Sequence, residues 1–255
     1  MSGKPGALER PVFLTAAWRD LLMVNYAVDP ALVRPLAPRG LELDVIDGRT
    51  FVSLVAFRFE QTRVFGAAIP FHRSFEEANL RLYVRRHVEG EGTRRGVVFV
   101  QEIVPKRAVA FVARAFYGEN YVRLPMRHEA RAIPENSVGA AVEGRRIAYE
   151  WRLGRRWHGL RARVDGEPVI AVAGSEEAFI TEHYWGYTRH RDGSTREYRV
   201  EHPRWRVWSA HEVEVDVDAS AVYGPRYARF FHGPPSSAFV AEGSDVVVRR
   251  GSRLA

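Results

Sequence analysis

At 255 residues the chain is long enough for one large domain or two small ones, burying about three-quarters of its unfolded surface. A hydrophobic content of 46% with 27% charged residues is that of a globular protein, and the absence of cysteine excludes disulfides, thiolate metal sites and a cysteine nucleophile. The net charge of +7 is carried almost wholly by arginines in scattered pairs such as Arg94-Arg95 and Arg155-Arg156, without the stripe and interleaved aromatics of a nucleic-acid surface, so no nucleic-acid partner is expected.

The N-terminal residues lack a signal-length apolar run, and the longest apolar stretches fall well short of the ~20 residues of a membrane span. A cytoplasmic protein without a membrane partner is expected, as a single domain over 1–255 with frayed ends at about 1–10 and 250–255. Asp29-Pro30 has the pattern of an N-cap followed by proline at the first helical position, which predicts a short helix from Asp29 to Arg34 ended by Pro35 and Pro38. Leu41 to Val45 alternates, Asp47-Gly48 is a hairpin turn, and Phe51 to Phe57 reads as the returning partner strand, buried on both faces.

Arg81 to Val88 and Gly96 to Val100 follow as strands, separated by the Gly90-Glu91-Gly92 turn, and Ala108 to Tyr117 reads as a helix. Ile147 to Leu153, Trp157 to Val164 and Val169 to Val172 read as a meander punctuated by Gly154 and Asp165-Gly166. Ser175 caps a short helix running to about Thr181. Val213 to Val217 alternates, and Val246-Val247-Val248 closes the sheet. Many strands with few helices predict a mainly β (α+β) protein built on a closed or strongly curved antiparallel sheet, because closure removes exposed edges.

Several blocks carry a resemblance. The order Ala113-Arg114, Tyr117 and Leu124-Pro125 resembles the central motif of the acetoacetate decarboxylase-like superfamily, in which a Schiff-base lysine follows the proline. Here Met126 and Arg127 hold those positions. Trp18, Val24-Asn25-Tyr26, Pro38-Arg39-Gly40-Leu41-Glu42, Val52 to Val55, Asn79-Leu80-Arg81, Phe179 to Glu182 and His202-Pro203 are similar, in that order, to the YqjF-like uncharacterised family within the superfamily. The resemblance implies a cone-like antiparallel β-barrel with a central cavity, and transfers no settled activity. His183 departs from the family, where arginine is more usual.

Candidate site residues follow from alternation and from the resemblance together. An extended Phe75 to Val84 puts Glu77, Asn79, Arg81 and Tyr83 on one face, about 6.6 Å between neighbours, which suits a carboxylate or carbonyl held by Arg81 and Tyr83 with Glu77 as counter-charge or base. The same alternation also describes a half-buried strand with a wet outer face. The resemblance places Arg114 and Tyr117 beside the cavity as substrate-binding residues, with helix anchoring as the competing role for Arg114. Glu182, His183 and His202 are the proton-transfer candidates, although adjacent Glu182 and His183 point apart and cannot form a simple dyad.

No cofactor is expected, no metal site is expected because the histidines show no ligand spacing, and the oligomeric state is left open, a homo-oligomer included. Arg127 cannot serve as an amine nucleophile, and Lys106, at a turn after Pro105, is expected to be solvated, so no Schiff base is expected. Two function classes remain: an enzyme on a small carbonyl or carboxylate compound, and a ligand-binding or scaffold protein that kept the barrel.

Overall fold

The computed structural model of the protein describes residues 10–106, 120–130, 142–190 and 192–254. β1 (Val12–Val28) is followed by a short helix (Pro30–Val33), β2 (Glu42–Leu43), β3 (Thr50–Val64), β4 (Ala67–Ala68), β5 (Phe75–Val88) and β6 (Gly92–Val104). β7 (Tyr121–Arg123), β8 (Met126–Ala130), β9 (Val142–Leu153), β10 (Arg156–Gly166) and β11 (Val169–Ile170) lead to a helix at Glu176–Thr181. β12 (Trp185–Arg189), β13 (Thr195–Glu201), β14 (Arg206–Asp216), helices Ala219–Tyr223 and Pro225–Ala228, β15 (Ser237–Arg249) and β16 (Ser252–Arg253) complete the described chain. The helix expected over Ala108 to Tyr117 lies outside the described residues. None of the described helices is long and apolar enough to cross a membrane.

The long strands pair in the order β13-β12-β6-β5-β3-β1-β15, and β15 pairs back onto β13 through Val200 with Val248 and Glu201 with Val247. These seven strands therefore form a ring. The Val246-Val247-Val248 run makes the closing contact, as the sequence suggests. Pairing is mainly antiparallel, but β6 pairs β12 and β7 in parallel, which departs from a purely antiparallel barrel. The parallel β6–β12 pair is reached by a crossover, since β12 arrives some eighty residues after β6 through the β7–β11 excursion.

β14 leaves the ring. Its first half pairs β15 and its second half pairs β10, which continues into β9 and β8 as a sheet lying over the ring. This arrangement explains the apolar run at Phe51 to Phe57. Phe51, Val55 and Phe57 pack inward with Leu21, Met23 and Phe75, whereas Val52, Leu54 and Ala56 pack outward against Ile147, Tyr149 and Trp151. Both faces of β3 are buried because the overlying sheet replaces solvent.

Local signals correspond closely to local structure. The Asp29 side chain accepts from Ala31 N at 2.8 Å and caps the helix Pro30–Val33, and Ser175 caps Glu176–Thr181 by accepting from Ala178 N. Asp47 and Gly48 both have positive φ, +49° and +76°, as a type I′ turn requires. Pairing partners depart from the expectation. β2 pairs β5 and not β3, because β3 is already flanked by β1 and β5. β9 and β10 form the expected hairpin, but β11 pairs β14, so the meander ends at Gly166. The 250–255 end is not frayed throughout: Ser252 and Arg253 pair with β13.

β1, which joins β3 to β15, bulges between Arg19 and Leu22 where it faces β3. Asp20 in the bulge has φ +56°. Across from it, Gly243 has φ +82°, and a Cβ there would come within 2.0 Å of the Trp18 carbonyl oxygen. Only glycine lets β15 approach the bulge this closely.

Candidate functional site

A cavity of about 110 Å³ lies within the ring, lined by side chains from β1, β3, β5, β6, β13 and β15 together with Tyr121 of β7 and with Ile69 and His72 between β4 and β5. Much of the wall is aromatic, including Trp18, Phe57, Phe59, Phe75 and Phe99. Its polar groups gather on β5 and its neighbour β6. Glu77, Asn79 and Arg81 all face it, and Glu102 joins them from β6, where it is paired directly with Asn79. Glu77 and Asn79 are 3% and 2% exposed, so this face of the strand is interior and not a wet outer face.

The acidic end is ordered by short-range bonds. Asn79 Nδ2 donates to Glu77 Oε1 at 3.2 Å, and the Tyr121 hydroxyl donates to Glu77 Oε2 at 3.1 Å. Neither Glu102 nor Tyr121 stands out in the sequence. Glu102 lies beyond the Gly96 to Val100 run, in the part of β6 that extends to Val104.

Arg81 forms the basic end. Its Nε donates to the Tyr83 hydroxyl at 3.0 Å, and Nη2 reaches the Ile180 carbonyl at 3.4 Å and Met23 Sδ at 3.5 Å. Nη1 has no hydrogen-bond partner among the described residues, and Arg81 makes no ion pair with a described carboxylate. The expectation that Glu77 balances Arg81 is therefore not met at ion-pair distance. Four residues along an extended strand is about 13 Å, and Asn79 lies between them.

Tyr83 is fully buried and lies behind Arg81, off the cavity wall. Its hydroxyl donates to Ser53 Oγ at 2.7 Å, and Ser53 donates to Asn25 Oδ1 at 2.6 Å. Asn25 Nδ2 donates to Ser237 Oγ at 3.0 Å, and Ser237 donates to Glu176 Oε1 at 2.5 Å. This directed chain runs from Arg81 across β5, β3, β1 and β15 to the helix Glu176–Thr181. Every hydroxyl in it donates away from Arg81, so the guanidinium is held in one place by polarised partners. The Asn25 and Ser53 signals lay in the family-like blocks, but only the fold joins them.

Three further lining or buried polar atoms lack a partner among the described residues: Asn79 Oδ1, Thr62 Oγ1 and Trp18 Nε1. Buried polar groups are almost always bonded to protein, water or ligand, so these three atoms on its wall make the cavity the candidate site.

The proton-transfer candidates go elsewhere. Glu182 ends its helix at the surface and bonds Arg204 Nε at 2.7 Å. His183 turns the other way, is buried between the Tyr83 and Phe179 rings, and bonds Asp44 Oδ2 through Nε2 at 2.9 Å. Neither lines the cavity. Burial pushes the Asp44 carboxyl up, but hydrogen bonds from His183 and Arg95 outweigh it and hold it below the usual carboxylate range. An ionised carboxylate only accepts, so the neutral imidazole carries its proton on Nε2. Burial pushes His183 down to about 4 against the opposing Asp44 bond, with the Arg95 and Arg81 charges adding to the fall.

His202 stacks on Trp205 with ring centres 4.0 Å apart, and burial takes it down to about 4 as well. Arg114 and Tyr117 lie outside the described residues. Met126 and Arg127, the two residues after Pro125, both lie on β8 and off the cavity wall, with the Arg127 guanidinium paired to Glu150 and 4.2 Å from the centre of the Trp157 ring. Lys106 is partly exposed. It lies near Glu76 on the other face of β5, where burial raises that carboxyl but the His128 bond and the Lys106 charge help hold it low overall. Among the described residues no group of three or more histidines and carboxylates is placed to hold a metal.

A mainly β ring with an interior cavity is the fold of acetoacetate decarboxylase-like enzymes. The acetoacetate decarboxylase of Legionella pneumophila subsp. pneumophila superimposes with a TM-score of 0.64 at 14% identity, covering 100% of this chain and 92% of that one. The enduracididine biosynthesis enzyme MppR with bound HEPES gives 0.66 at 15% identity over 99% and 91%. MppR complexed with pyruvate gives 0.65 at 16% identity over 99% and 94%. In sequence, the uncharacterized protein YqjF of Bacillus subtilis (strain 168) is 28% identical over 202 residues, 79% of this chain and 77% of that one. The chain belongs to the DUF2071 family, described as an uncharacterized conserved protein, whose match spans residues 15–245.

Proposed function

We propose that the protein binds a small carboxylate or carbonyl compound in the ring cavity, with Arg81 as the anion-holding group. The observation that carries this reading is the Arg81 guanidinium. It is fixed on the cavity wall, uses Nε and Nη2 internally, and has no carboxylate partner among the described residues. A partly desolvated cation without a counter-ion is costly, and an anionic ligand relieves that cost through charge-assisted hydrogen bonds. The aromatic wall supplies the apolar contacts that such pockets use for the rest of a ligand.

Arg81→Gln keeps a planar donor but removes the charge. It is expected to weaken binding of three- to four-carbon carboxylates by about 10- to 100-fold, the worth of a hydrogen bond to a charged group. Titration calorimetry against wild type reads this directly. Equal affinities in the two proteins would remove Arg81 from the site.

Binding proceeds without a Schiff base on this reading. Lys106 lies beside Glu76 on the far face of β5, and Arg127 is engaged with Glu150. Borohydride treatment in the presence of pyruvate or acetoacetate is expected to leave the intact mass unchanged. A reduced adduct mapped to Lys106 would overturn this part.

A further inference from the structure

We infer that the cavity selects carboxylates carrying a hydrogen-bond donor near the acid group, hydroxy or amino acids, over the matching oxo acids. The inference rests on the anion-binding reading of Arg81 and adds the chemistry of the ligand's other polar group.

It is carried by the orientation of the Asn79 amide. Asn79 is 2% exposed and lines the cavity. Its Nδ2 bonds Glu77 Oε1 at 3.2 Å. A carboxylate accepts and does not donate, so this contact fixes which end of the amide is nitrogen and which is oxygen. The oxygen is thereby left as the free end, and Oδ1 has no partner among the described residues. Rotating the amide to present its nitrogen instead would set Oδ1 against the Glu77 carboxylate. Two acceptors would then face each other in a buried site, so the flip is resisted.

The free end is an acceptor, and only an N–H or O–H satisfies an acceptor. Asn79 and Arg81 are neighbours on one face of β5, about 7 Å apart along the strand. A ligand whose carboxylate rests on Arg81 Nη1 therefore places its second or third carbon toward Asn79. A hydroxyl or amine there donates to Oδ1. An oxo group at the same carbon brings a second acceptor to the same spot and leaves the orphan unsatisfied. Size sets an upper limit: an apolar cavity of about 150 Å³ takes a benzene ring, so one of about 110 Å³ takes nothing much larger than a compact three- or four-carbon acid.

The test uses matched pairs that differ at one carbon: lactate against pyruvate, and 3-hydroxybutyrate against acetoacetate. Titration calorimetry on the wild-type chain is expected to show each hydroxy acid binding at least about fivefold more tightly than its oxo partner, the least that one unmade buried hydrogen bond costs. In Asn79→Leu, which keeps the branching at Cγ and removes the acceptor, that preference is expected to fall to about one. Equal or tighter binding of the oxo acids by wild type overturns the inference and leaves the Arg81 site standing. A preference that survives unchanged in a folded Asn79→Leu overturns the assignment to Asn79. If neither member of either pair binds wild type at millimolar concentration, the anion-binding reading falls and this inference falls with it. The wild-type comparison decides the selectivity even where the variant does not fold.

Discussion

Replacing Asp20 with alanine is expected to remove about 3–5 kcal/mol of folding stability, the cost of breaking a buried ion pair from one side. Asp20 is 5% exposed and its carboxylate bridges two arginines from different parts of the fold. Arg58 of β3 donates at 2.8 Å, and Arg145 of β9 bonds the other oxygen. The Tyr149 hydroxyl of β9 also donates to the Asp20 backbone carbonyl at 2.8 Å. One residue thus ties the ring to the overlying sheet. Its φ of +56° adds a backbone cost for alanine that aspartate and asparagine tolerate better. Asp20→Asn is therefore expected to lose less than Asp20→Ala, since it keeps the bulge and one acceptor. Urea unfolding of the three proteins measures the order. A loss under 1 kcal/mol for the alanine variant would show that the bridge holds nothing together.

The second large effect is on pH. His183 and His202 are each held near 4 by burial, against an ordinary value of 6.5. A histidine whose folded value is depressed takes up its proton more readily when unfolded. Its contribution is fully present above about pH 6.5 and is lost as the pH falls toward 4. Each shift is worth about 3 kcal/mol when complete. Stability is therefore expected to drop by several kcal/mol between pH 7 and pH 4.5, before most of the loss from the lowered Asp44 and Glu76 carboxyls, which sets in as their unfolded forms take up protons around the ordinary values of 3.8 and 4.5. His183→Gln can still donate to Asp44 and does not titrate. Its unfolding free energy is expected to follow a shallower line over the same window. A flat wild-type profile from pH 7 to 4.5 would show that neither histidine is held neutral by the fold.

Both effects bear on the cavity. The residue after Asp20, Leu21, lines it, and the His183 ring lies against Tyr83, which holds Arg81. Ligand affinity is expected to follow stability in these variants only where the ring loosens. The direct test of the site remains Arg81→Gln.

How the residues converge could be read from the sequence only in part. The strand face bearing Glu77, Asn79 and Arg81 was legible because alternation has a period of two and survives any partner. That this face is interior was not legible, since a wet face and a polar cavity wall give the same pattern. Glu182 and His183 illustrate the opposite failure. Their residue types suit proton transfer, but a helix end sends one to the surface with Arg204 and the other into a packed aromatic pocket with Asp44. Glu102 carried no distinguishing signal, because its role comes from the β5–β6 register.

By itself the sequence determined what depends on a few neighbouring residues: the caps at Asp29 and Ser175, the positive-φ turn at Asp47-Gly48, the double-sided burial of Phe51 to Phe57, and the mainly β class. Those features follow from backbone sterics and short-range hydrogen bonds, which act within one turn or one strand. Only the tertiary structure decided which strands pair, such as β2 with β5, β11 with β14 and β6 in parallel with β12. It alone joined Arg81 through Tyr83, Ser53, Asn25 and Ser237 to Glu176, residues drawn from positions 25 to 237. Contacts of that sequence separation are chosen by the burial of whole faces against one another, and no local pattern encodes the partner.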